Sequence, residues 1–148
     1  MPWATTQSPN LQHLGPIIPV VILPSSAFLK ALKENDPEEV KKYETGFQAM
    51  MLIDTGASCT AIDKEISRVL DLKHRGVTHI STPSSNSHEC LTYDIDLIIP
   101  GNQSHIQNIE VIETELVNQG INGLLGRDVL KHILFLYHGN TGQFTLAI

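Results

Sequence analysis

Residues 17–23 and 47–53 are apolar along nearly their whole length and rich in β-branched or bulky side chains, and each run is only seven residues long. That length suits a strand buried on both faces and is too short for a buried helix. Residues 77–82, 91–99, 106–112, 134–137 and 143–147 repeat the theme with more polar residues, and turn-forming residues stand between them. Strand-like runs punctuated by turns at intervals of about 8–12 residues predict a mainly β, closed-barrel-like or sandwich fold with little helix. Helix is expected within residues 24–46, where Ser25 and Ser26 precede Phe28, Leu29 and Leu32, from about Lys64 onward, and as a short C-terminal helix over 128–133. Residues 1–16 are polar and contain Pro2, Pro9, Gly15 and Pro16, so they read as an irregular N-terminal arm. Residues 17–148 then form one domain carrying the helical insert 24–46, which reads as a surface appendage rejoining two adjacent strands. Residues 83–89 are almost all turn chemistry and read as the polar tip of a hairpin, and residues 139–142 as the turn of the last hairpin.

The chain has 148 residues, enough for one core and too few for two lobes of that size. Ten Lys and Arg stand against sixteen Asp and Glu, giving a formal charge of -6, with no basic cluster beyond Lys41 and Lys42. That balance argues against nucleic acid or an anionic membrane as partner. Pro19 interrupts the first apolar run, which falls far short of the roughly 20 residues a membrane helix needs. The first ten residues lack the pattern of a secretion signal, and Cys59 and Cys90 are the only cysteines. The expected setting is cytoplasmic, with two free thiols.

Asp54 closes the second apolar run and is followed by Thr55, Gly56, Ala57, Ser58 and Cys59. A carboxylate at the mouth of a buried strand is costly unless it is hydrogen-bonded or paired. Asp, Thr and Gly are also ordinary turn residues, so the tripeptide alone is compatible with a strand followed by a turn. A second element, Ile121-Asn122-Gly123-Leu124-Leu125-Gly126-Arg127-Asp128-Val129-Leu130, follows roughly seventy residues later.

Together these two motifs resemble those of the retropepsin family of aspartic proteases, over about residues 15–148. The resemblance implies that Asp54 is the catalytic acid, that Thr55 grips the loop of a partner subunit, and that Gly56, Ala57 and Ser58 present backbone groups to substrate. It implies further that Leu52 and Leu124 line the pocket beside the scissile bond. Gly126 would permit close packing behind the loop, and Arg127 would anchor the loop and the dimer contact. The hairpin tip, with Pro83, Ser84, Ser85, Asn86 and Ser87, would be the flap, and Phe144, Leu146 and Ile148 would belong to a dimer-forming terminal strand. Ser58 stands where the family often carries an acid that pairs with the equivalent of Arg127, and this flap tip lacks the glycines of viral members.

Such a protease needs two facing carboxylates, one as base toward water and one as proton donor. The other acids, Asp63, Asp71, Asp94, Asp96 and Asp128, lack a following Thr-Gly, and Asn140-Thr141-Gly142 carries an amide in a hairpin turn. The expected partners are therefore a second copy of the chain, which places both Asp54 residues on a two-fold axis, and a polypeptide substrate. No cofactor or metal is implied, because the histidines and cysteines show none of the usual zinc spacings. The alternatives are a silent peptide-binding module and a dimerising scaffold of the same fold, and a thiol mechanism through Cys59 ranks below both.

Overall fold

The computed structural model describes residues 3–82 and 85–148. In chain order the elements are β1 (Trp3–Gln7), α1 (Leu11–Leu14), β2 (Ile17–Pro24), α2 (Ser26–Asn35), a 3-10 turn (Glu39–Tyr43), β3 (Phe47–Ile53), β4 (Ala61–Asp63), α3 (Lys64–Val69), β5 (Gly76–Thr82), β6 (Ser85–Ile99), β7 (Ser104–Thr114), a 3-10 turn (Val117–Gln119), β8 (Gly123–Leu125), α4 (Arg127–Leu130), β9 (Leu134–His138), a 3-10 turn (Gly139–Thr141) and β10 (Gln143–Ala147). No helix among the described residues is long and apolar enough to cross a membrane.

The larger sheet runs β2-β3-β8-β4-β7-β6-β5, and β2 also pairs with β6 from Val21↔Ile98 to Pro24↔Ile95. That extra pairing closes β2, β3, β8, β4, β7 and β6 into a ring, with β5 hanging from the outer side of β6. Closure follows from the alternation of the strands. Ile18, Val20 and Ile22 of β2 and Ala49, Met51 and Ile53 of β3 all point inward and are buried. They meet Ile95, Leu97 and Ile99 of β6 and Val111 of β7 in one core. β8 is only three residues long, yet it runs parallel to β3 and antiparallel to β4 and so separates the two strands that flank the Asp54 loop.

Three local expectations need correction. Residues 1–16 are not irregular throughout: β1 pairs along its length with β10, and Leu11 of α1 is buried in the main core. Thr5 and Thr6 favour extended backbone, but a polar edge strand has no hydrophobic period to betray it. The hairpin is also longer than its turn chemistry indicated. β6 begins at Ser85, and His88 and Glu89 pair with Ile80 and His79 of β5, so backbone ladders carry a stretch whose side chains read as loop. Pro83 and Ser84 at its tip lie outside the described residues. Phe144 and Leu146, finally, are the inward face of β10. They are 1% and 2% exposed, so their own chain fills that face, and the partly buried Ile148 packs against the same cluster.

The insert leaves β2 at Pro24 and rejoins β3 at Phe47, two strands that pair with each other. None of the α2 residues is buried, and Ser25 caps the helix by accepting from Phe28 N at 3.2 Å. The N-terminus of α2 is nevertheless tied to the barrel. Asp96 of β6 is 1% exposed, and its Oδ1 accepts from Ser26 N at 3.0 Å and Asn108 N at 2.8 Å. Its Oδ2 accepts from the Ser26 hydroxyl and lies 2.9 Å from His105 Nε2. Buried donors that lose their acceptor cost about 1–3 kcal/mol each. Asp96→Ala should therefore lower unfolding stability by about 3 kcal/mol in urea titration, whereas a loss below about 0.5 kcal/mol would show that α2 rests on the barrel without depending on that carboxylate.

Candidate active site

The Asp54 loop is set by the two strands it leaves and meets. Ile53 N donates to Pro16 O at 2.9 Å and Asp54 N to Leu125 O at 2.9 Å, so the parallel pairing of β3 with β8 continues to the first residue of the loop. Ala57 N donates back to Asp54 O at 3.2 Å and closes a turn. The half-buried Asp54 carboxylate is oriented by Gly56, whose N–H donates to Oδ1 at 2.9 Å. A Cβ on Gly56 would sit 3.1 Å from that same oxygen, so a side chain there would crowd the carboxylate.

Residues 125–128 clamp the rest of the loop. Arg127 donates through Nη1 to Thr55 O at 2.8 Å and through its backbone N–H to Ala57 O at 2.9 Å. Asp128 accepts from Thr60 N at 2.9 Å and from the Thr60 hydroxyl at 2.8 Å, and that hydroxyl accepts from Gly126 N at 3.1 Å. Gly126 lies flat against the loop's exit: a Cβ there would stand 2.5 Å from both C and O of Cys59. Thr60 is fully buried, so its hydroxyl needs both partners. Arg127 has no carboxylate within ion-pair distance among the described residues, and Ser58 is exposed. The guanidinium therefore holds the loop through a backbone carbonyl.

The structure brings together Leu52, Asp54, Thr55, Gly56, Ala57, Leu124, Gly126 and Arg127. Leu52 and Leu124 are register partners and both half-buried. Leu124 also packs on a second apolar cluster of Ala61, Cys90 and Ile112, together with Cys59 and Ile80. Burial pushes the thiols of Cys59 and Cys90 up from their ordinary range, away from the thiolate. Thr60 and Asp128 are loop-holding residues that sequence reasoning missed. They lie 68 positions apart in the chain, and only the insertion of β8 between β3 and β4 brings them into contact.

The other acids weighed as partners for Asp54 are engaged elsewhere. Asp63 caps α3 through Glu65 N at 2.8 Å and takes Leu116 N at 2.7 Å. Asp71 pairs with Lys73, Asp94 with Arg75, and Asp96 with Ser26 and Asn108. The loop of one chain thus presents one carboxylate, aimed by one backbone donor.

A family model described as aspartyl protease matches residues 44–129, over half of the chain, from the end of the insert through β3 and the Asp54 loop to α4. Among solved structures, the chain is similar to a retropepsin-like aspartic protease from Rickettsia conorii, at 14% identity and a TM-score of 0.49 over 88% of this chain and 93% of that one. EIAV protease in complex with an inhibitor matches at 20% identity and 0.46, over 79% and 86%. The retroviral protease-like domain of Ddi1 from Leishmania major matches at 14% identity and 0.39, over 61% and 71%. No curated protein sequence matches the chain significantly.

Gly126→Ala places a methyl group against backbone that has no free end to move aside. It should cost about 2 kcal/mol of stability by denaturant titration, while Gly120→Ala, whose site is open, should lose only what its positive φ imposes. Equal losses at the two positions would contradict the close packing behind the loop.

Proposed function

The chain belongs to the aspartyl protease family, and from that premise we propose that it is a homodimeric endopeptidase in which Asp54 of each copy supplies one of two catalytic carboxylates. The observation that carries this reading is the Asp54 carboxylate at the end of β3, oriented by Gly56 N at 2.9 Å in a loop that offers no second acid.

Two such carboxylates brought together hold one proton between them, because like charges a hydrogen bond apart cannot both ionise cheaply, as in aspartic proteases generally. The ionised member takes a proton from a water molecule as its oxygen adds to the scissile carbonyl carbon. The protonated member gives its proton to the carbonyl oxygen, forming a neutral tetrahedral diol. The carboxyl that took the water's proton then passes it to the amide nitrogen while a hydroxyl of the diol gives its proton to the other carboxylate, so the C–N bond breaks to release a carboxylic acid and an amine and the pair again holds one proton. The substrate is an extended polypeptide segment. Gly56, Ala57 and Ser58 offer it backbone groups, Leu52 and Leu124 favour apolar side chains next to the cut, and the β5–β6 hairpin covers it as a flap. Thr55 contacts the partner's loop, and Arg127 keeps Thr55 in place for that contact.

A silent binding module and an enzyme separate at Asp54. Asp54→Asn keeps the shape and removes the base, so cleavage of unstructured peptides should fall by about 10³-fold or more while peptide binding and self-association survive. Wild-type cleavage should show a bell-shaped pH dependence with an acidic to weakly acidic optimum, and specific activity should drop on dilution through the range where sedimentation shows dissociation. Undiminished cleavage by the Asn variant, or constant specific activity in fully monomeric protein, would remove this reading.

A further inference from the structure

A cavity of about 200 Å³ lies where the insert meets the root of the β5–β6 hairpin. Pro24, Ser25 and Phe28 line it from the insert side, Leu72, Lys73 and Arg75 from the segment before β5, and Asp94 from β6. The insert side is fixed: Pro24 pairs with Ile95, Ser25 is buried, and the adjoining Ser26 is bound by the buried Asp96. The other side is looser. Lys73, His74 and Arg75 are exposed, and the backbone ties of that segment are Leu72 N to Ser67 O at 2.9 Å and Arg75 N to Thr92 O at 2.6 Å. It runs directly into β5, which pairs with β6 along one edge only. Apolar surface comes from Pro24, Leu72 and Phe28, whose ring is steadied edge-on by Tyr43 at a centroid distance of 6.1 Å yet left 36% exposed. Charge at the rim is unbalanced. Arg75 Nη1 lies 3.0 Å from Asp94 Oδ1 and 2.9 Å from Glu110 Oε2, so one guanidinium serves two carboxylates, while Lys73 is matched by Asp71 at 3.2 Å. One negative charge is left over.

We propose that this cavity is a regulatory site for a small aromatic amine, a single ring carrying an ammonium group on a short alkyl arm. The ring lies among Pro24, Phe28 and Leu72, and the ammonium meets the carboxylate of Asp94, supplying the positive charge that the rim lacks. Size agrees with this occupant, since an apolar cavity of roughly 150 Å³ accepts benzene. The regulatory half of the proposal rests on the reading of the β5–β6 hairpin as a flap. A ligand that touches both the fixed and the loose side binds the one arrangement of the β5 root that forms the cavity, and so favours that arrangement over the others. A hairpin that opens and closes pivots at its root. The amine therefore slows turnover without competing with the peptide.

The probe is 2-phenylethylamine, with 2-phenylethanol as the uncharged control and butylamine as the control without a ring. Followed by backbone amide NMR, phenylethylamine should bind saturably and shift the amides of Ser25, Phe28, Leu72 and Arg75. It should bind about threefold tighter than the alcohol, and butylamine should not saturate. Asp94→Asn should remove the difference between amine and alcohol, and Phe28→Ala should weaken both roughly fivefold. Both variants should keep basal cleavage, since neither residue belongs to the Asp54 loop or its clamp. In wild type the amine should lower kcat and leave KM unchanged. Shifts confined to other parts of the chain, or equal binding of amine and alcohol, would overturn the site. Saturable binding at these residues with cleavage unaltered would overturn the regulation. A wild type that binds the amine here but cleaves no peptide at any concentration would instead overturn the reading of Asp54 and leave the binding site standing.

Discussion

The insertion of β8 between β3 and β4 is the constraint on which the site depends. A three-residue strand contributes little burial by itself, but it makes Leu125 O the acceptor for Asp54 N and sets Gly126 against the backbone of Cys59. It also brings Asp128 to Thr60. The loop between β3 and β4 is thereby fixed at its first residue, its middle and its exit by a segment distant in sequence. Precision of this kind suits a carboxylate whose work depends on where its oxygens point, since a displacement of about 1 Å in a catalytic group costs roughly a hundredfold in rate. Arg127 shows the same economy: without a carboxylate partner among the described residues, it steadies the loop through the carbonyl of Thr55.

The barrel supplies rigidity and the peripheral elements supply adaptability. Buried strands of β2, β3, β6 and β7 hold the core, while β1 and β5 pair along one edge only. Elements held by backbone ladders with few buried side chains open at lower free energy than the core. The proposed flap, the β5–β6 hairpin, would draw on that property. The insert belongs to neither class. Its helix buries none of its own residues, yet the helix N-terminus engages the buried Asp96, so that end is tied to the barrel by polar bonds.

Much of this was legible in the residues. The apolar runs around Val20 and Met51 identify barrel strands, and Asp54-Thr55-Gly56 with Gly126-Arg127-Asp128 identifies the loop and the segment behind it. β4 and β8 were not legible, because three residues are too few to show a period and their identity as strands comes from the neighbours they pair with. β1 was missed for a related reason, its evidence lying in the opposite strand rather than in its own side chains. The burial of Phe144 and Leu146 in their own chain's core was not legible, because alternation says which residues share a face but not what covers that face. Asp96 illustrates a further limit: an acid in a strand looks solvent-facing until the bulge near Asn108 and the capping end of α2 are placed around it.

The central claim is that one active site takes a carboxylate from each of two chains. Mixing wild type with Asp54→Asn at fixed total concentration, and following peptide cleavage as the proportion changes, tests it most directly. A shared site predicts activity proportional to the square of the wild-type fraction, so that an equal mixture retains roughly a quarter of the activity. Activity falling in direct proportion to the wild-type fraction, with about half remaining in an equal mixture, would mean that each chain carries a complete site and would contradict the account.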